Sequence, residues 1–320
     1  MTAIADPVRT AYPRIMTPDD ATKLVGQRAA ALEPNVPLGT IVTDSETGEP
    51  VLAYLPLADP APLRRALRGI THWNGVQRQS VYRSKSQTFG YAPPRVAVLR
   101  ESCSLTQLGR DFPDVERLLE SYADQFGDML DMIDPAIPER DAAAIAEVKT
   151  DWRIGRRGLW TSGVINDTAA LPYHRDGFNF PTWSAMPVLR RGVRGGALHV
   201  PEYGVTVGCA DATVTLFPGR LLVHGVTPLR RAVPDGYRFS VVYYALRGMR
   251  TCREAAEEAR QGRINRTQRE AAMAARLAVG DRSIPSGGRK GRTTDEAGRR
   301  MYGDWRGMGK NPDKAEGPRQ

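Results

Sequence analysis

The side chains able to carry chemistry are few and grouped. The 320 residues include four histidines, His72, His174, His199 and His224, and three cysteines, Cys103, Cys209 and Cys252. Tyr173-His174-Arg175-Asp176-Gly177-Phe178-Asn179 sets a histidine and a carboxylate two positions apart. An extended backbone turns such a pair to one face. Fifty residues further on, Val223-His224-Gly225-Val226-Thr227-Pro228 ends an apolar run with another histidine. Two histidines and one carboxylate on a single β face form the facial set that holds ferrous iron and leaves positions open for other ligands. His-x-Asp alone also describes many surface segments, so the residues that follow carry more weight. Fourteen positions after His224 stands Arg238, in Tyr237-Arg238-Phe239-Ser240-Val241-Val242-Tyr243-Tyr244, which as a strand shows Arg238, Ser240, Val242 and Tyr244 on one side. A guanidinium inside a barrel matches a carboxylate through two parallel hydrogen bonds. A keto acid such as 2-oxoglutarate, chelating iron at one end and gripped by Arg238 at the other, fits that arrangement. The competing reading of Arg238 is a structural ion pair or a solvent-facing strand arginine. Its aromatic and β-branched neighbours favour the first reading.

The elements that must position these groups separate into three regions. Residues 1–150 read as a mixed α/β part supporting the core. A helix is expected to start at Thr17-Pro18-Asp19-Asp20 and run toward Leu32. A strand, turn and strand follow over Gly39–Thr43, Asp44–Pro50 and Val51–Leu57, then a short helix over Pro60–Ile70. Val115, Leu118, Leu119, Tyr122, Phe126 and Leu130 recur at helical spacing within Phe112–Ile133. Residues 151–247 change to short β-rich runs between Gly, Pro and Asp turns: Gly158–Ile165, Ala197–Val200, Gly204–Val207, Thr213–Phe217, Arg220–His224 and Arg238–Leu246. Many short strands with tight turns indicate a sandwich or barrel. Residues 248–320 form a basic tail, helical over Cys252–Val279 and then rich in Gly, Arg and Lys without periodicity, which suggests disorder or folding on a partner.

Composition narrows the function classes. The cysteines are far apart and odd in number, which argues against a disulfide framework and against a Cys-type zinc site. No apolar run approaches the roughly 20 residues that cross a bilayer, and the N-terminal residues lack the pattern of a secretory signal. No membrane association is expected, and a cytoplasmic protein, of a bacterium or a phage-infected cell, is. Residues 247–320 hold 18 basic and 10 acidic side chains, and so +8 of the net +9. A polyanion is one partner for such a tail; a solvated tail that maintains solubility is the other reading.

On these residues the sequence resembles the TET/JBP dioxygenases, which oxidise 5-methylcytosine or thymine in nucleic acid. The shared elements are His174, Asp176 and Asn179; Gly195-Gly196-Ala197-Leu198 leading to Pro201-Glu202; His224 with Thr227-Pro228-Leu229; and Arg238, Ser240 and Tyr244. They fall within residues 158–246. The resemblance implies an α+β fold with a double-stranded β-helix (jelly-roll) core and flanking helices. It implies Fe(II) held by His174, Asp176 and His224, 2-oxoglutarate gripped by Arg238 and Ser240, and O2 as cosubstrate. It also implies a target base hydrogen-bonded by Asn179 and stacked on Tyr244. A methyl group inside a duplex is out of reach of buried iron, so the base must be flipped out and held between flat surfaces. The other reading of Tyr244 is a core tyrosine.

The expected partner is double-stranded DNA containing 5-methylcytosine, with no protein partner inferred. The Cys-rich region and the long insert before the distal histidine of animal members are missing. The compact spacing is more like prokaryotic, phage or JBP-type members. Leu246 stands where animal enzymes place a second base-contacting histidine. The Asn179 amide can donate or accept, so thymine remains an alternative base. A small molecule, a free nucleotide or a protein side chain remains an alternative substrate, and a DNA-binding module with a vestigial metal site an alternative function. His199 reads as a partly exposed strand residue and His72 as a loop or core residue. Arg83–Thr88 with Phe89-Gly90-Tyr91 is a further candidate DNA contact that an ordinary surface strand would also resemble.

Overall fold

Tyr237–Tyr244 shows how the chain is organised. Tyr237, Phe239, Val241 and Tyr243 lie in one apolar cluster with helix residues such as Leu63, Leu119, Phe126 and Leu130. Arg238, Ser240, Val242 and Tyr244 alternate with them and face the other way. The strand is thus a wall between a helical layer and an interior.

The structure, a computed structural model, describes residues 6–71, 74–78, 82–94 and 102–279. In chain order the first elements are Val8–Tyr12 (β1), Pro18–Thr22 (α1), Thr40–Asp44 (β2), Pro50–Pro56 (β3), Pro60–Gly69 (α2), Asn74–Arg78 (β4) and Tyr82–Ala92 (β5). Ser104–Leu105 (β6), Gln107–Asp111 (α3), Pro113–Ile133 (α4), Ala136–Ala144 (α5), Ser162–Asp167 (β7) and Ser184–Arg191 (β8) follow. Next come Val193–Gly195 (β9), Leu198–Val200 (β10), Val205–Val207 (β11) and Thr213–Phe217 (β12). Gly225–Val226 (β13), Leu229–Arg231 (β14), Tyr237–Tyr244 (β15) and Ala255–Ala278 (α6) complete the order.

The main sheet runs β1-β2-β3-β12-β8-β15-β7-β5-β4, with β6 added on β5. Its pairings are antiparallel except β1 with β2. A smaller antiparallel sheet, β11-β10-β13, faces it. Between the two lie Val42, Leu52, Tyr54, Met186 and Val188 from the large sheet and Leu198, Val200, Val205, Val207 and Val226 from the small one. The result is an α+β architecture of helices, large sheet and small sheet, stacked in that order.

The helical layer depends on α4. Leu119, Tyr122, Phe126, Met129, Leu130 and Ile133 recur at three- and four-residue steps and are all buried. Pro113 starts the helix, and Asp114 and Glu116 lie in its first turn, where the macrodipole favours acids. Phe126 meets Tyr243 edge-on at 5.1 Å, and Phe89 and Trp160 meet it at 4.8 and 5.9 Å. Each such pair contributes about 0.5–1.5 kcal/mol beyond its burial.

Several sequence expectations need correction. The helix from Thr17 covers only Pro18–Thr22, because the following residues spend their backbone groups on tertiary bonds: Gly26 N–H donates to Tyr173 O and Gln27 O accepts from Tyr173 N. Arg220–His224 is a turn rather than a strand; Leu221 and Leu222 N–H both bond Pro218 O, and His224 alone pairs, as an isolated bridge. β8 was not foreseen, since Pro187 argues against a central strand. Its ladder to β15 runs from Tyr237↔Arg191 to Ser240↔Val188 and resumes at Tyr243↔Ala185, and Pro187 falls in the gap. The segment Arg83–Thr88 with Phe89-Gly90-Tyr91, a candidate DNA contact or an ordinary surface strand by its sequence, is the inner strand β5. Phe89 is fully buried and Tyr91 packs edge-on against Trp152, so neither ring is placed to stack a base.

Cys103 and Cys252 form a disulfide across 149 residues, while Cys209 is free and buried. No local spacing announces a pair so distant. α6 matches the expected tail helix, and residues 280–320 and His72 lie outside the described residues. Among the described residues no helix is long and apolar enough to cross a membrane.

Glu116 gives a test of the packing. Its Oε1 accepts from Gly90 N at 2.6 Å, its Oε2 has no partner among the described residues, and burial raises its pKa from 4.5 to about 7, with the Gly90 bond opposing. A carboxyl whose folded pKa exceeds its unfolded one disfavours the native state increasingly as pH rises from 4.5 through about 7. Glu116→Gln should therefore gain about 3 kcal/mol relative to wild type between pH 4.5 and pH 8, at about 1.4 kcal/mol per pKa unit. Denaturant unfolding at both pH values measures it. A gap that does not change with pH contradicts the assignment.

Candidate functional site

The two histidine segments meet through their backbones. His174 N–H donates to His224 O and His224 N–H to His174 O, both at 2.9 Å, in an antiparallel bridge. Paired residues of such a bridge point their side chains to one side, and the two rings stand 4.3 Å apart between centroids. Asp176, two positions from His174, comes to the same side, with its Oδ1 3.7 Å from His174 Nε2. One ligand atom each from His174, Asp176 and His224 lies within 4.8 Å of the others.

The second nitrogen of each ring is already engaged. His174 Nδ1 lies 2.8 Å from Pro172 O and His224 Nδ1 3.1 Å from Leu222 O. A carbonyl can only accept, so Nδ1 carries the proton in both rings and Nε2 keeps its lone pair. That is the tautomer a metal ligand needs. Burial pushes His224 down to about 4, with His174 adding to the shift and Asp176 opposing it. Its imidazole is neutral at physiological pH. Phe217 packs edge-on against it at 4.9 Å, which sets His224 over the interior side of β12. Asp176 N–H donates to Gly219 O, and a Cβ on Gly219 would come within 2.5 Å of Asp176 Oδ2, so a side chain at position 219 would displace the Asp176 carboxylate.

Arg238 is 1% exposed, and its Nε and one Nη have no hydrogen-bond partner among the described residues. Gly196, at φ +78°, lies against its Cδ and Nε, so the side chain reaches from the large sheet to the link between β9 and β10. Its cross-strand neighbour is Arg190, a second guanidinium held by the carbonyls of Cys209 and Val193. Burial and the charge of Arg238 push the Arg190 pKa down. Ser240 pairs across the sheet with Asn166, and Asn166 with Ser86. Asn166 Oδ1 and Ser86 Oγ are also buried without a partner among the described residues. Buried polar atoms are normally satisfied, and an unpaired buried charge is expensive. A cation-rich, hydrogen-bond-starved strip of this kind suits a carboxylate ligand.

Asn179 sits at the other side of the histidine segment, bridged to Leu246, with its backbone carbonyl accepting from Arg220. Tyr244 ends the interior face of β15 and is half-buried. His199, the remaining described histidine, accepts from or donates to Tyr173 Oη at 2.6 Å, and burial lowers its pKa. It lies in β10, paired with Gly225 next to His224.

No protein-family model matches this sequence, and no curated protein is significantly similar to it. Solved structures are. NgTET1 in complex with 5mC DNA superposes with a TM-score of 0.50 at 13% identity, covering 81% of this chain and 92% of that one. The chain is similar in fold to NgTET1. An oxidoreductase of the 2OG-Fe(II) oxygenase family from Burkholderia pseudomallei gives a TM-score of 0.41 at 15% identity, over 75% of this chain and 99% of that one. OsALKBH1 gives 0.35 at 12% identity, over 61% and 98%. Both fall below the level at which a shared fold can be argued.

The structure thus gathers His174, Asp176 and His224 at one point and turns Arg238 and Ser240 to the interior. Two features at the site were not anticipated. Arg190 lies in β8, outside the strands expected from the sequence, and Glu202 figures there only as part of the Pro201-Glu202 element of the resemblance, with no role of its own. Each is defined by a contact distant in sequence.

His224 supplies a stability test on metal-free protein. A histidine whose folded pKa of about 4 lies below the ordinary 6.5 costs the fold nothing above pH 6.5 and progressively more as pH falls toward 4. His224→Leu should remove up to about 3 kcal/mol of that acid sensitivity. Unfolding curves at pH 7.5 and 4.5 in the presence of a chelator check this. Parallel losses in both proteins would show that His224 is not the group responsible.

Proposed function

We propose that this chain is an Fe(II)- and 2-oxoglutarate-dependent dioxygenase that oxidises the 5-methyl group of 5-methylcytosine in DNA to 5-hydroxymethylcytosine. The observation that carries the reading is the convergence of His174, Asp176 and His224 in the interior that the buried Arg238 also enters, two of its guanidinium nitrogens having no partner among the described residues. Both halves fit the ligands proposed. Two imidazoles presenting Nε2 and one carboxylate suit Fe(II). An orphaned guanidinium beside a second cation suits the distal carboxylate of 2-oxoglutarate. Bound iron, with O2 and the keto acid, supplies the oxidising power, and 2-oxoglutarate leaves as succinate and CO2.

The residues of this chain supply position and dryness. His174, Asp176 and His224 hold the metal on one side, and Arg238 with Ser240 fixes the cosubstrate against β15. Phe217, Val188 and Met186 line the neighbouring interior with apolar surface and exclude water. Asn179 meets the edge of the flipped base and Tyr244 stacks on its face. NgTET1, a protein of similar fold, was solved with 5mC DNA, which favours DNA over a small molecule as substrate. In this scheme residues 151–247 are the catalytic core, residues 1–150 support it, and the basic residues 248–320 contact the duplex.

A duplex containing 5-methylcytosine, incubated with the protein, Fe(II), 2-oxoglutarate and ascorbate, then digested and read by mass spectrometry, tests the proposal. 5-Hydroxymethylcytosine is the expected product. Oxidised thymine instead would reassign the base, and succinate without any change to DNA would reassign the substrate. His174→Ala should abolish product, and wild-type turnover in that variant would remove it from the ligand set.

Arg238→Ala should raise the KM for 2-oxoglutarate roughly 10- to 100-fold, the loss of about 1.5–3 kcal/mol from a charged hydrogen-bonded pair. An unchanged KM would mean that the guanidinium does not hold the cosubstrate.

A further inference from the structure

Glu202 touches none of the proposed ligands, yet it is bonded to both segments that carry them. It sits in the turn Pro201–Tyr203 after β10 and is 2% exposed. Its Oε1 accepts from Arg175 Nη2 at 3.3 Å and from Val223 N at 2.8 Å. Arg175 lies between His174 and Asp176, and Val223 immediately precedes His224. One carboxylate oxygen therefore joins the two halves of the cluster from behind, on the side opposite the ligand atoms.

The turn itself is anchored. Its Tyr203 hydroxyl donates to Asp44 in the large sheet at 2.7 Å, and Glu202 O accepts from Ile15 N and Met16 N at 2.9 and 3.3 Å. Arg175 extends the brace by donating to Thr22 Oγ1 at 2.7 Å and Pro18 O at 3.0 Å. The residues around α1 thus press on the same point. Glu202 Oε2 and Arg175 Nε are both buried and unpartnered among the described residues, so the pair has donor and acceptor to spare for closing into a two-bond fork.

We propose that Glu202 is a positioning residue that sets the separation between the His174–Asp176 segment and His224, and so the affinity of the cluster for a divalent metal. The inference rests on the proposed iron site and adds a residue to it. Glu202 acts through backbone and guanidinium contacts rather than by touching metal or substrate. Outer partners of this kind typically change metal affinity roughly 10- to 100-fold when removed.

The test uses the full chain with Co(II) as the probe, titrated by its visible absorption. Glu202→Gln keeps the shape and the acceptor for Val223 N–H while removing the charge that holds Arg175. It should weaken Co(II) binding roughly tenfold or more and alter the ligand-field bands, with Glu202→Ala weaker still. At saturating Fe(II) the KM for 2-oxoglutarate should stay at the wild-type value, which separates Glu202 from Arg238. Should Glu202→Gln fail to fold, as melts of the metal-free protein would show, Arg175→Gln cuts the other arm and the same loss is expected. Wild-type affinity and spectrum in a folded Glu202→Gln protein would overturn the proposal. A wild-type chain that binds no Co(II) would overturn the iron site and this inference together. Wild-type Co(II) binding with the predicted losses, but no product from methylated DNA, would support Glu202 and overturn only the substrate.

Discussion

Two backbone hydrogen bonds between His174 and His224 are the constraint around which this molecule is arranged. They bring together residues fifty positions apart, and they do so outside any regular strand. A lone antiparallel pair has little stability by itself, so neighbouring contacts must hold it. Val226 N bonds Leu171 O on one side, Asp176 N bonds Gly219 O on the other, and Tyr173 is clasped on both backbone groups by Gly26 and Gln27. The small sheet, the turn at Pro218 and the N-terminal segment each supply part of that support. Ring orientation then follows from short-range bonds to the carbonyls two residues earlier, which leave little freedom to either imidazole.

The interior that this pair closes is electrostatically unfinished. Arg238 and Arg190 are neighbours across β8 and β15, and no carboxylate is bonded to the Arg238 guanidinium among the described residues. A fold selected for stability alone would cover such a charge or replace it, since truncating or orphaning one partner of a buried pair costs about 3–5 kcal/mol. The apolar cluster on the opposite side of β15 provides the compensation. Tyr243 there is fully buried, surrounded by Phe89, Phe126 and Trp160, and bonded to Leu119 O. One strand therefore carries a fully buried, ring-packed aromatic on one face and a buried guanidinium with two unpartnered nitrogens among the described residues on the other.

Legibility in the sequence follows the range of the interaction. Period-two alternation from Tyr237 to Tyr244 and helical spacing from Val115 to Leu130 are local, and both elements are found where their patterns place them. His-x-Asp reads locally too. His224 became readable because an apolar run precedes it and Gly-Val-Thr-Pro follows it. The hidden features depend on partners far along the chain. β8 is masked by Pro187, whose missing N–H matters only once the gap in its ladder is known. Glu202 gains meaning from Arg175 and Val223, Arg190 from Arg238, and Cys103 from Cys252. Phe89 misled for the same reason: a basic and aromatic segment looks exposed until the helix over it is seen.

The disulfide has a topological consequence. Joining Cys103 to Cys252 closes a covalent loop that contains every residue from α3 to β15, and with them His174, Asp176, Asn179, His224, Arg238, Ser240 and Tyr244. By the chain-entropy account a loop of this length narrows the unfolded ensemble by about 5 kcal/mol. The segment around α1 and the helix α6 fall outside the loop. Scission of the peptide chain in either flank leaves the circle whole, whereas a single nick inside it leaves its two pieces tethered through sulfur.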